Sequence, residues 1–495
     1  MDLVCSYDFP AYVTKLLDHH HVPGMSVAVV QGDQVASAAS GKASLEAPKG
    51  FTADTLLPVG SAAKSLTAAA VLILTEQYPG INLNSTMASL LPDDFAMPAE
   101  THADVTVEDV LSHRTGMGSH DFSILGRYAE QPDDARSITR NLRNLTCVAK
   151  NRSEHVYCNM MYTVATYLVE HVSGMSFGEF LNKHIFQPLE MKSTYLFRDA
   201  VYAGGRGDGL AIGYSWNKLG QRNKATQCRD GIESQGAGQV YTSANDYIKW
   251  VRAMMLRRGP ITERVFEELT RPRIQIDPEA SDETRPFYAL GWQVYNYNGY
   301  RVVSHDGGEG ACLCNHFFLP DLKFGAVILA NSYQAHPVMA RLTCKLIDSF
   351  LHPAPNGMMA LNQQFESDGE GENDGFDMEG YEHMLFPESV NPEPQRLPLS
   401  AYTGRYKNVG YHVLEVRDKD GALFIDGMER SFSFTLTMKH ICSQTKYIAY
   451  LSQMFEDVKM IGKIEFRLEN NRAVEMGMDL EDSTNGYVWF ERLDA

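Results

Sequence analysis

Apolar residues alternate with polar ones near both ends of the chain, whereas the middle has mostly helical spacing. Residues 24–40 (GMSVAVVQGDQVASAAS) predict two short strands around a Gly-Asp turn, and residues 288–332 predict three consecutive antiparallel strands. Residues 61–77 (SAAKSLTAAAVLILTEQ), which follow Pro58 and Gly60, predict a helix. Together these segments predict one discontinuous α+β domain, in which an antiparallel sheet flanked by helices packs against a mostly helical insertion.

Three further segments have helical spacing, and a fourth segment has no regular pattern of apolar residues. Residues 159–172 and 336–351 predict helices, and residues 241–258 predict an amphipathic helix that a Thr-Ser pair caps. Residues 200–240 contain many glycines and polar side chains, which predicts an extended loop region.

The character of the chain changes after residue 351. Residues 352–398 are acidic, rich in glycine and poor in apolar side chains, which predicts a flexible linker. Residues 399–495 alternate in short segments, among them HVLEV, GALFIDG and KYIAYL, and predict a small all-β domain of barrel type. The predicted division is therefore 1–351, 352–398 and 399–495.

Composition and charge exclude several classes of function. The net charge of −18 argues against a nucleic-acid partner and disfavours an anionic membrane surface. No apolar run approaches the ~20 residues that a membrane helix needs, and the N-terminus lacks the pattern of a secretory signal. The eight cysteines are scattered, which favours reduced thiols. We therefore expect a cytoplasmic protein with no nucleic-acid or membrane partner.

The first candidate for chemistry is Ser61-Ala-Ala-Lys64. Residues three apart share one face of a helix, so the lysine can reach the serine hydroxyl. A desolvated lysine has a lowered pKa and can act as a base near neutral pH. The alternative is a plain helix cap at Ser61 with a solvated Lys64. Two other matches to the S-x-x-K pattern begin at Ser215 and Ser443, and neither opens an apolar helix.

Two more short motifs carry suitable side chains. In Tyr157-Cys-Asn159, the phenol and the amide are two residues apart and can point to the same side, where a phenol can relay a proton. In His305-Asp-Gly307-Gly308, the glycines let a substrate approach the backbone closely. The N–H groups of Gly308 and Ser61 can then form an oxyanion hole. A packed tyrosine and a hairpin turn with a surface histidine are the alternatives.

The order and spacing of SAAK, YCN and HDG resemble those of class C β-lactamases and of their esterase, D-aminopeptidase and acyltransferase relatives. Supporting segments are VEDVLSHRTGM (107–117), GAGQVYTSANDYIKW (236–250) and YALGW (288–292), and the resemblance covers about residues 10–350. The tail from YTGRY (402–406) is similar to the β-domain appended to some members. The resemblance implies that residues 1–351 are the catalytic domain.

The resemblance also implies roles for these residues. Ser61 would be acylated by an ester, lactone or amide, and Lys64 and Tyr157 would share its proton, with the base left open between them. Asn159 would orient Lys64 and the acyl amide. The third motif lacks the Lys-Thr-Gly cation of antibiotic-hydrolysing enzymes, and a histidine at 305 is only partly charged at neutral pH. We therefore expect a serine hydrolase that cleaves a small ester, lactone or amide rather than an efficient β-lactamase, with a weak β-lactamase or D-aminopeptidase as an alternative.

Other functions and sites remain as alternatives. An acyltransferase would use the same acyl-enzyme with an acceptor other than water, and a catalytically silent scaffold is disfavoured because all three motifs keep reactive residues. Gly174-Met-Ser176-Phe-Gly178 matches the G-x-S-x-G pattern, but Ser176 with Glu179 predicts a capping box instead. No metal or cofactor is expected, since the adjacent histidines His19–His21 do not converge on one ion. The expected partner is a small-molecule or short-peptide acyl substrate, and the sequence sets no oligomeric state.

Overall fold

The structure is a computed structural model. It describes residues 2–493 except 48, 99–102, 219, 227, 229, 281–284, 352–385, 388–392, 454–458 and 482–485. Most of the predicted linker 352–398 therefore lies outside the described residues. The α-helices are α1 Asp2–Cys5, α2 Asp8–His19, α3 Lys64–Gln77, α4 Met87–Leu90, α5 Val107–Leu111, α6 Ala135–Asn141, α7 Asn159–Ser173, α8 Phe177–Leu181, α9 Arg198–Ala203, α10 Ala244–Leu256, α11 Glu263–Thr270 and α12 His336–Leu351.

The strands fall into one large sheet, one barrel and two small sheets. They are β1 Gly24–Gln31, β2 Gln34–Ser44, β3 Lys49–Gly50, β4 Leu57–Pro58, β5 Tyr195–Leu196, β6 Tyr214–Asn217, β7 Arg222–Ala225, β8 Val240–Thr242, β9 Ile274–Gln275, β10 Phe287–Tyr288, β11 Gln293–Tyr297, β12 Tyr300–Glu309, β13 Cys312–Leu319, β14 Phe324–Ala330, β15 Gly404–Asn408, β16 His412–Lys419, β17 Ala422–Gly427, β18 Phe434–Cys442, β19 Lys446–Gln453, β20 Lys459–Glu469, β21 Arg472–Asp479 and β22 Val488–Arg492.

The large sheet joins the two ends of the first domain. Its nine strands are ordered β3-β2-β1-β14-β13-β12-β11-β10-β9, and β1 pairs antiparallel with β14 from Met25 opposite Ala330 to Gln31 opposite Phe324. Both strands are buried on both faces, which explains why their sequences are almost continuously apolar. The predicted α+β fold with an antiparallel sheet is confirmed.

Helices cover both faces of this sheet. On one face, α2 and α12 pack through apolar residues such as Phe9, Leu16 and Leu342. On the other face, α10 packs against β1 and β14, and α3 lies between the sheet and the helical insertion with α7. Helix α3 is buried all round from Lys64 to Thr75, as expected for a helix without a polar face. None of the described helices has the length and apolar character that crossing a membrane requires.

The C-terminal strands β15–β22 form a closed barrel, because β15 pairs with β22 through Tyr406 and Arg492. Closure leaves no open edge strand, and it lets alternate apolar side chains fill the interior. The predicted all-β barrel is confirmed.

Three sequence predictions are wrong in detail. The first strand expected within 288–332 is three strands, because Asn298 and Gly299 have φ of +49° and +81° and form a tight turn between β11 and β12. Asn-Gly favours this turn because both central residues need positive φ. Residues 200–240 are not one loop, since they contain the end of α9 and the hairpin of β6 and β7. The helix expected over 241–258 starts only at Ala244, after strand β8, and Ser243 is its cap.

Candidate active site

Ser61 lies in a turn that connects β4 to α3. Residues Gly60–Ala63 form one turn of 3₁₀-helix, which continues directly into α3 at Lys64. Gly60 has φ of +51°, and a Cβ atom there would be 2.4 Å from the backbone nitrogen of Gly308. Only glycine fits this approach, which brings the serine turn against strand β12. Ser61 is therefore not the cap of α3, contrary to the simpler interpretation of the motif.

The amine of Lys64 contacts three oxygen acceptors and lies on a fully buried helix. Its Nζ is 3.0 Å from Ser61 Oγ, 2.8 Å from Asn159 Oδ1 and 2.9 Å from the carbonyl oxygen of Ala237. A neutral amine has two N–H donors and one lone pair. With the donors on the amide and the carbonyl, the lone pair points to the serine hydroxyl.

Burial decides the charge of this amine. It lowers the pKa of Lys64 to about 7, although the carboxylate of Asp121 and the thiol of Cys158 act in the opposite direction. A large share of the lysine is therefore neutral at physiological pH, which is the state that accepts a proton.

Tyr157 reaches the same hydroxyl from the other side. Its phenol is hydrogen-bonded to Ser61, and the Lys64 amine lies 4.8 Å from the centre of its ring. Burial raises the pKa of Tyr157 above its ordinary value, against the lowering effect of the bond to Ser61. The phenol thus keeps its proton at neutral pH.

His113 fixes the backbone of this motif, and the sequence analysis assigned it no role. Its Nδ1 accepts the backbone N–H of Cys158 at 3.1 Å, and its ring packs 4.1 Å from that of Tyr157. Burial lowers the pKa of His113 well below its ordinary value, which keeps the ring neutral. The signal was present, because His113 lies within the quoted segment 107–117.

Asn159 connects Lys64 to a carboxylate. Its side-chain oxygen accepts from the lysine, so its nitrogen must face the other way, and this Nδ2 donates to Asp121 Oδ2 at 3.2 Å. The carboxylate fixes the orientation of the amide, and the amide fixes the amine. Asp121 had no distinguishing pattern in the sequence.

Strand β12 carries the third motif past the serine turn. Gly307 and Gly308 pair with Cys314 and Leu313 of β13, whereas the pairing of β12 with β11 ends at Ser304. The opposite edge of β12 therefore lies open toward the serine turn. A Cβ atom on Gly307 would be 2.0 Å from the carbonyl oxygen of Val59. The structure brings both glycines next to Ser61, as expected.

The sequence predicted that His305 is partly charged and ends a strand, and the structure differs on both points. It lies within β12 and is buried, its Nδ1 donates to the carbonyl oxygen of Asp306 at 2.6 Å, and its Nε2 lies 2.8 Å from the Tyr288 hydroxyl. Burial, with a smaller effect from the charge of Lys64, lowers the pKa of His305 to about 3. The ring is neutral and provides no cation.

A cleft of about 560 Å³ opens beside these groups. Ser61, Tyr157, Asn159, His305, Gly307 and Gly308 all line it, and its described lining residues include no lysine or arginine. The carboxylate side chains on its wall belong to Glu233, Asp306 and Glu309, and Phe432 of the barrel domain completes one side. A substrate in this cleft therefore meets these carboxylates, neutral groups and the imidazole of His336.

Comparison with known proteins agrees with this arrangement. Residues 9–343 match the sequence profile of the beta-lactamase family. The chain belongs to the beta-lactamase family. It is therefore a serine hydrolase of that family, and residues 388–492 match a domain of unknown function, DUF3471.

Relatives in this family include hydrolases and peptidases. The chain is 31% identical to the unguisins hydrolase ungD of Aspergillus violaceofuscus over 99% of this chain and 90% of the relative. It is 25% identical to the D-aminopeptidase of Brucella ovis over 65% of this chain and 58% of that protein. The octameric penicillin-binding protein homologue of Pyrococcus abyssi has a similar fold, with a TM-score of 0.58, 20% identity and coverage of 97% and 98% of the two chains.

The other candidate motifs lie elsewhere in this beta-lactamase family chain. Ser176 caps α8 in a capping box with Glu179 and lies after a helix rather than a strand, so it is not a nucleophile elbow. Ser215 lies in strand β6, and Ser443 lies between β18 and β19. In the described part of the chain, no three His, Cys, Asp or Glu side chains are placed to hold a metal ion.

Proposed function

We propose that this protein cleaves a small ester, lactone or amide through an acyl-enzyme on Ser61. The observation that carries the proposal is the buried amine of Lys64 at 3.0 Å from the serine oxygen, with its other two contacts taken by fixed acceptors. A pKa of about 7 makes this amine a suitable base at neutral pH.

Acylation follows from this geometry. As the Ser61 oxygen attacks the carbonyl carbon of the substrate, its proton moves to the lone pair of Lys64. The backbone N–H groups of Ser61 and Gly308 stabilise the negative charge on the carbonyl oxygen. The proton then passes through the Tyr157 hydroxyl to the departing alcohol or amine, as the bond to the leaving group breaks.

Deacylation reverses these transfers. A water molecule takes the place of the leaving group, passes one proton through the Tyr157 hydroxyl to Lys64, and attacks the acyl carbon with its oxygen. The Ser61 oxygen leaves and recovers its proton from Lys64. Because both half-reactions use the same groups, both depend on the same protonation states.

The cleft favours substrates without a carboxylate near the scissile bond. His305 is neutral, Asp306 follows it, and the described residues that line the cleft include no lysine or arginine. β-Lactam antibiotics carry a carboxylate that would find no lysine or arginine among the described lining residues, so we expect poor turnover of them. The D-aminopeptidase relative supports an amide as the scissile bond.

The test is hydrolysis of an activated chromogenic ester and of the matched anilide by the full-length protein, with and without an acceptor alcohol. Wild type should release the chromophore without acceptor, and Ser61→Ala should lose activity by a factor of about 10³ or more. Ser176→Ala is the matched control, because this serine belongs to the competing motif and does not line the cleft. Equal rates for wild type and Ser61→Ala would refute the proposal, and product formation only with the acceptor would identify an acyltransferase.

A further inference from the structure

The barrel domain holds the segment of residues 120–126 beside the active site from two sides. At one end, Glu481 Oε1 accepts the backbone N–H of Phe122 at 3.1 Å. At the other end, the backbone N–H of Gly126 donates to the carbonyl of Glu429 at 2.8 Å, and that of Ser431 donates to the carbonyl of Ile124 at 2.9 Å. The conformation of this segment therefore depends on the barrel.

His120 begins the segment in a conformation that few non-glycine residues adopt, with φ of +46°. Both nitrogens of its ring are bonded, Nε2 to the carbonyl of Thr146 at 2.7 Å and Nδ1 to the hydroxyl of Tyr411 at 2.7 Å. The same hydroxyl is bonded to Glu481 Oε2 at 2.6 Å. A strained residue persists only when its surroundings fix it, and here Tyr411 of the barrel is one of the two partners that fix the ring.

The next residue connects this segment to the catalytic amine. Asp121 accepts from Asn159 Nδ2, and Asn159 Oδ1 accepts from Lys64 Nζ. One chain of hydrogen bonds and peptide groups thus runs from the barrel domain to the amine beside Ser61.

We propose that Glu481 and Tyr411 of the barrel are positioning residues that set the place of Lys64 through Asp121 and Asn159. The proposal rests on the proposed function, because it takes Lys64 as the group that receives the serine proton. It gives the domain of unknown function a role in catalysis that does not require contact with the substrate.

Counting hydrogens shows which state of the network is satisfied. The carbonyl of Thr146 can only accept, so Nε2 of His120 donates to it and Nδ1 of the neutral ring must accept. The single hydroxyl hydrogen of Tyr411 cannot be given to both His120 and an ionised Glu481. A protonated Glu481 resolves the conflict, because it donates to the Tyr411 oxygen and leaves the tyrosine hydrogen for His120.

Burial favours this satisfied state. It raises the pKa of Glu481 to about 7, with a further contribution from the neighbouring charge of Asp121. Burial also lowers the pKa of His120, so the ring stays neutral. A glutamine at position 481 would reproduce the protonated acid, because its amide nitrogen donates to Tyr411 and its oxygen accepts from Phe122.

The experiment compares Glu481→Ala, Glu481→Gln and Tyr411→Phe with wild type in the full-length protein, using the chromogenic ester from pH 5 to 9. Glu481→Ala releases the segment, so kcat should fall on the order of tenfold to a hundredfold while KM changes little. The acidic limb of the pH profile should move to lower pH, because Asp121 raises the pKa of Lys64 and withdraws in the variant. Glu481→Gln should retain the wild-type kcat and the wild-type position of the acidic limb. Tyr411→Phe should give values between those of Glu481→Ala and Glu481→Gln.

The acidic limb of the pH profile can be assigned to Lys64 because the titratable groups around its amine are known. The titratable side chains that face it are Asp121, His113, Tyr157, Cys158, Tyr162 and His305. The histidines are held neutral by burial, and burial raises the pKa of both tyrosines and of the thiol. None of them therefore replaces Lys64 in the range near pH 7. The pKa of Glu481 also lies at about 7, and Glu481→Gln removes that group, so the acidic limb that this variant keeps belongs to Lys64.

Tyr406→Phe is the matched control, since it removes a buried hydroxyl whose hydrogen bond among the described residues stays within the barrel domain, to the carbonyl of Tyr402 at 2.6 Å. It should leave kcat and the position of the acidic limb of the pH profile unchanged. The inference is overturned if folded Glu481→Ala and Tyr411→Phe keep the wild-type kcat and the wild-type position of the acidic limb, or if Glu481→Gln loses as much activity as Glu481→Ala.

Labelling by a fluorophosphonate separates the two proposals. A wild-type protein whose Ser61 is unreactive refutes the proposed function, whereas a reactive Ser61 with unchanged variants refutes only the inference.

Discussion

The protonation state of Lys64 controls the reactivity of Ser61 in this account. The amine is buried, and its three oxygen neighbours satisfy the charged form as well as the neutral one. Burial nevertheless disfavours the charge and lowers the pKa to about 7. The amine therefore loses its proton near neutral pH.

The pH profile of kcat/KM should show this directly. Below a pH of about 7 the amine is protonated and cannot accept the serine proton, so the rate should fall about tenfold for each further pH unit. Above that pH the rate should level off, because Tyr157 keeps its proton. Stopped assays with a neutral ester from pH 5 to 9 measure the profile, and a rate independent of pH between 5 and 7 would contradict Lys64 as the base.

Asp306 determines a second property at the residue scale, the charge of the preferred substrate. Its carboxylate lines the cleft next to Gly307 and accepts from Asn315 Nδ2. Asp306→Asn should raise kcat/KM for a carboxylate-bearing ester relative to its matched neutral ester by about two- to fivefold, the effect of one partly exposed charge. An unchanged ratio of the two esters would show that Asp306 does not act on the substrate.

Individual site residues differ in how far the sequence predicts them. Ser61, Lys64, Tyr157 and Asn159 have reactive side chains at short spacings, and the structure brings them together. The carbonyl of Ala237 is a backbone acceptor, which no side-chain pattern can reveal. Asp121 is a single aspartate whose importance depends on distant parts of the chain.

At the scale of elements, strand β12 and the serine turn approach each other closely because of their glycines. A Cβ atom on Gly307 would overlap the carbonyl of Val59, so Gly307→Ala must displace one element. We expect a loss of about 1–3 kcal/mol in the free energy of unfolding and a fall in kcat of up to about a hundredfold. Urea titration and ester hydrolysis measure the two effects.

Gly50→Ala is the control for this substitution, because a Cβ atom there would meet nothing within 4 Å. It should leave both stability and activity close to wild type. If Gly307→Ala were as active as Gly50→Ala, the close approach of β12 to Ser61 would not matter for catalysis.

The elements were predicted well where the pattern of apolar residues decides them. Strands β1 and β14 and helix α12 lie where the sequence predicted them, because burial repeats with a fixed period. The start of α3 was misplaced by three residues, because Gly60–Ala63 form a tighter turn whose shape depends on contact with β12. Only the tertiary fold contains that contact.

At the scale of the whole molecule, the sequence predicted a helix-flanked sheet and a separate barrel but not their contact. The bond from Glu481 to the backbone of Phe122 joins residues 359 apart in sequence. Contacts of this kind leave no local periodicity, so the position of the barrel beside the active site could not be inferred from the pattern.

The stability of the whole protein should depend on the buried amine. An unfolded lysine has a pKa of about 10.4, and the folded value of about 7 is lower. Between these values the unfolded chain binds more protons, so Lys64 makes the free energy of unfolding rise with pH by up to about 1.4 kcal/mol per unit. Below pH 7 this contribution is constant.

Lys64→Met removes this dependence. The variant should therefore be more stable than wild type at pH 7 and lose that advantage progressively toward pH 10, while it hydrolyses no ester. Urea titrations of both proteins at pH 6, 7, 8.5 and 10 measure the difference. A difference that stays constant from pH 7 to 10 would show that the amine does not titrate as a buried group.

Covalent labelling shows whether the buried amine of Lys64 activates the Ser61 hydroxyl. Wild type, Ser61→Ala and Lys64→Met are treated with a fluorophosphonate at pH 6 and 8, and the modified peptide is located by mass spectrometry. We expect one adduct, on Ser61, that forms faster at pH 8 than at pH 6 in wild type and at a small fraction of that rate in Lys64→Met. An adduct on another serine, or labelling of Ser61 that is unaffected by pH and by the loss of Lys64, would contradict it.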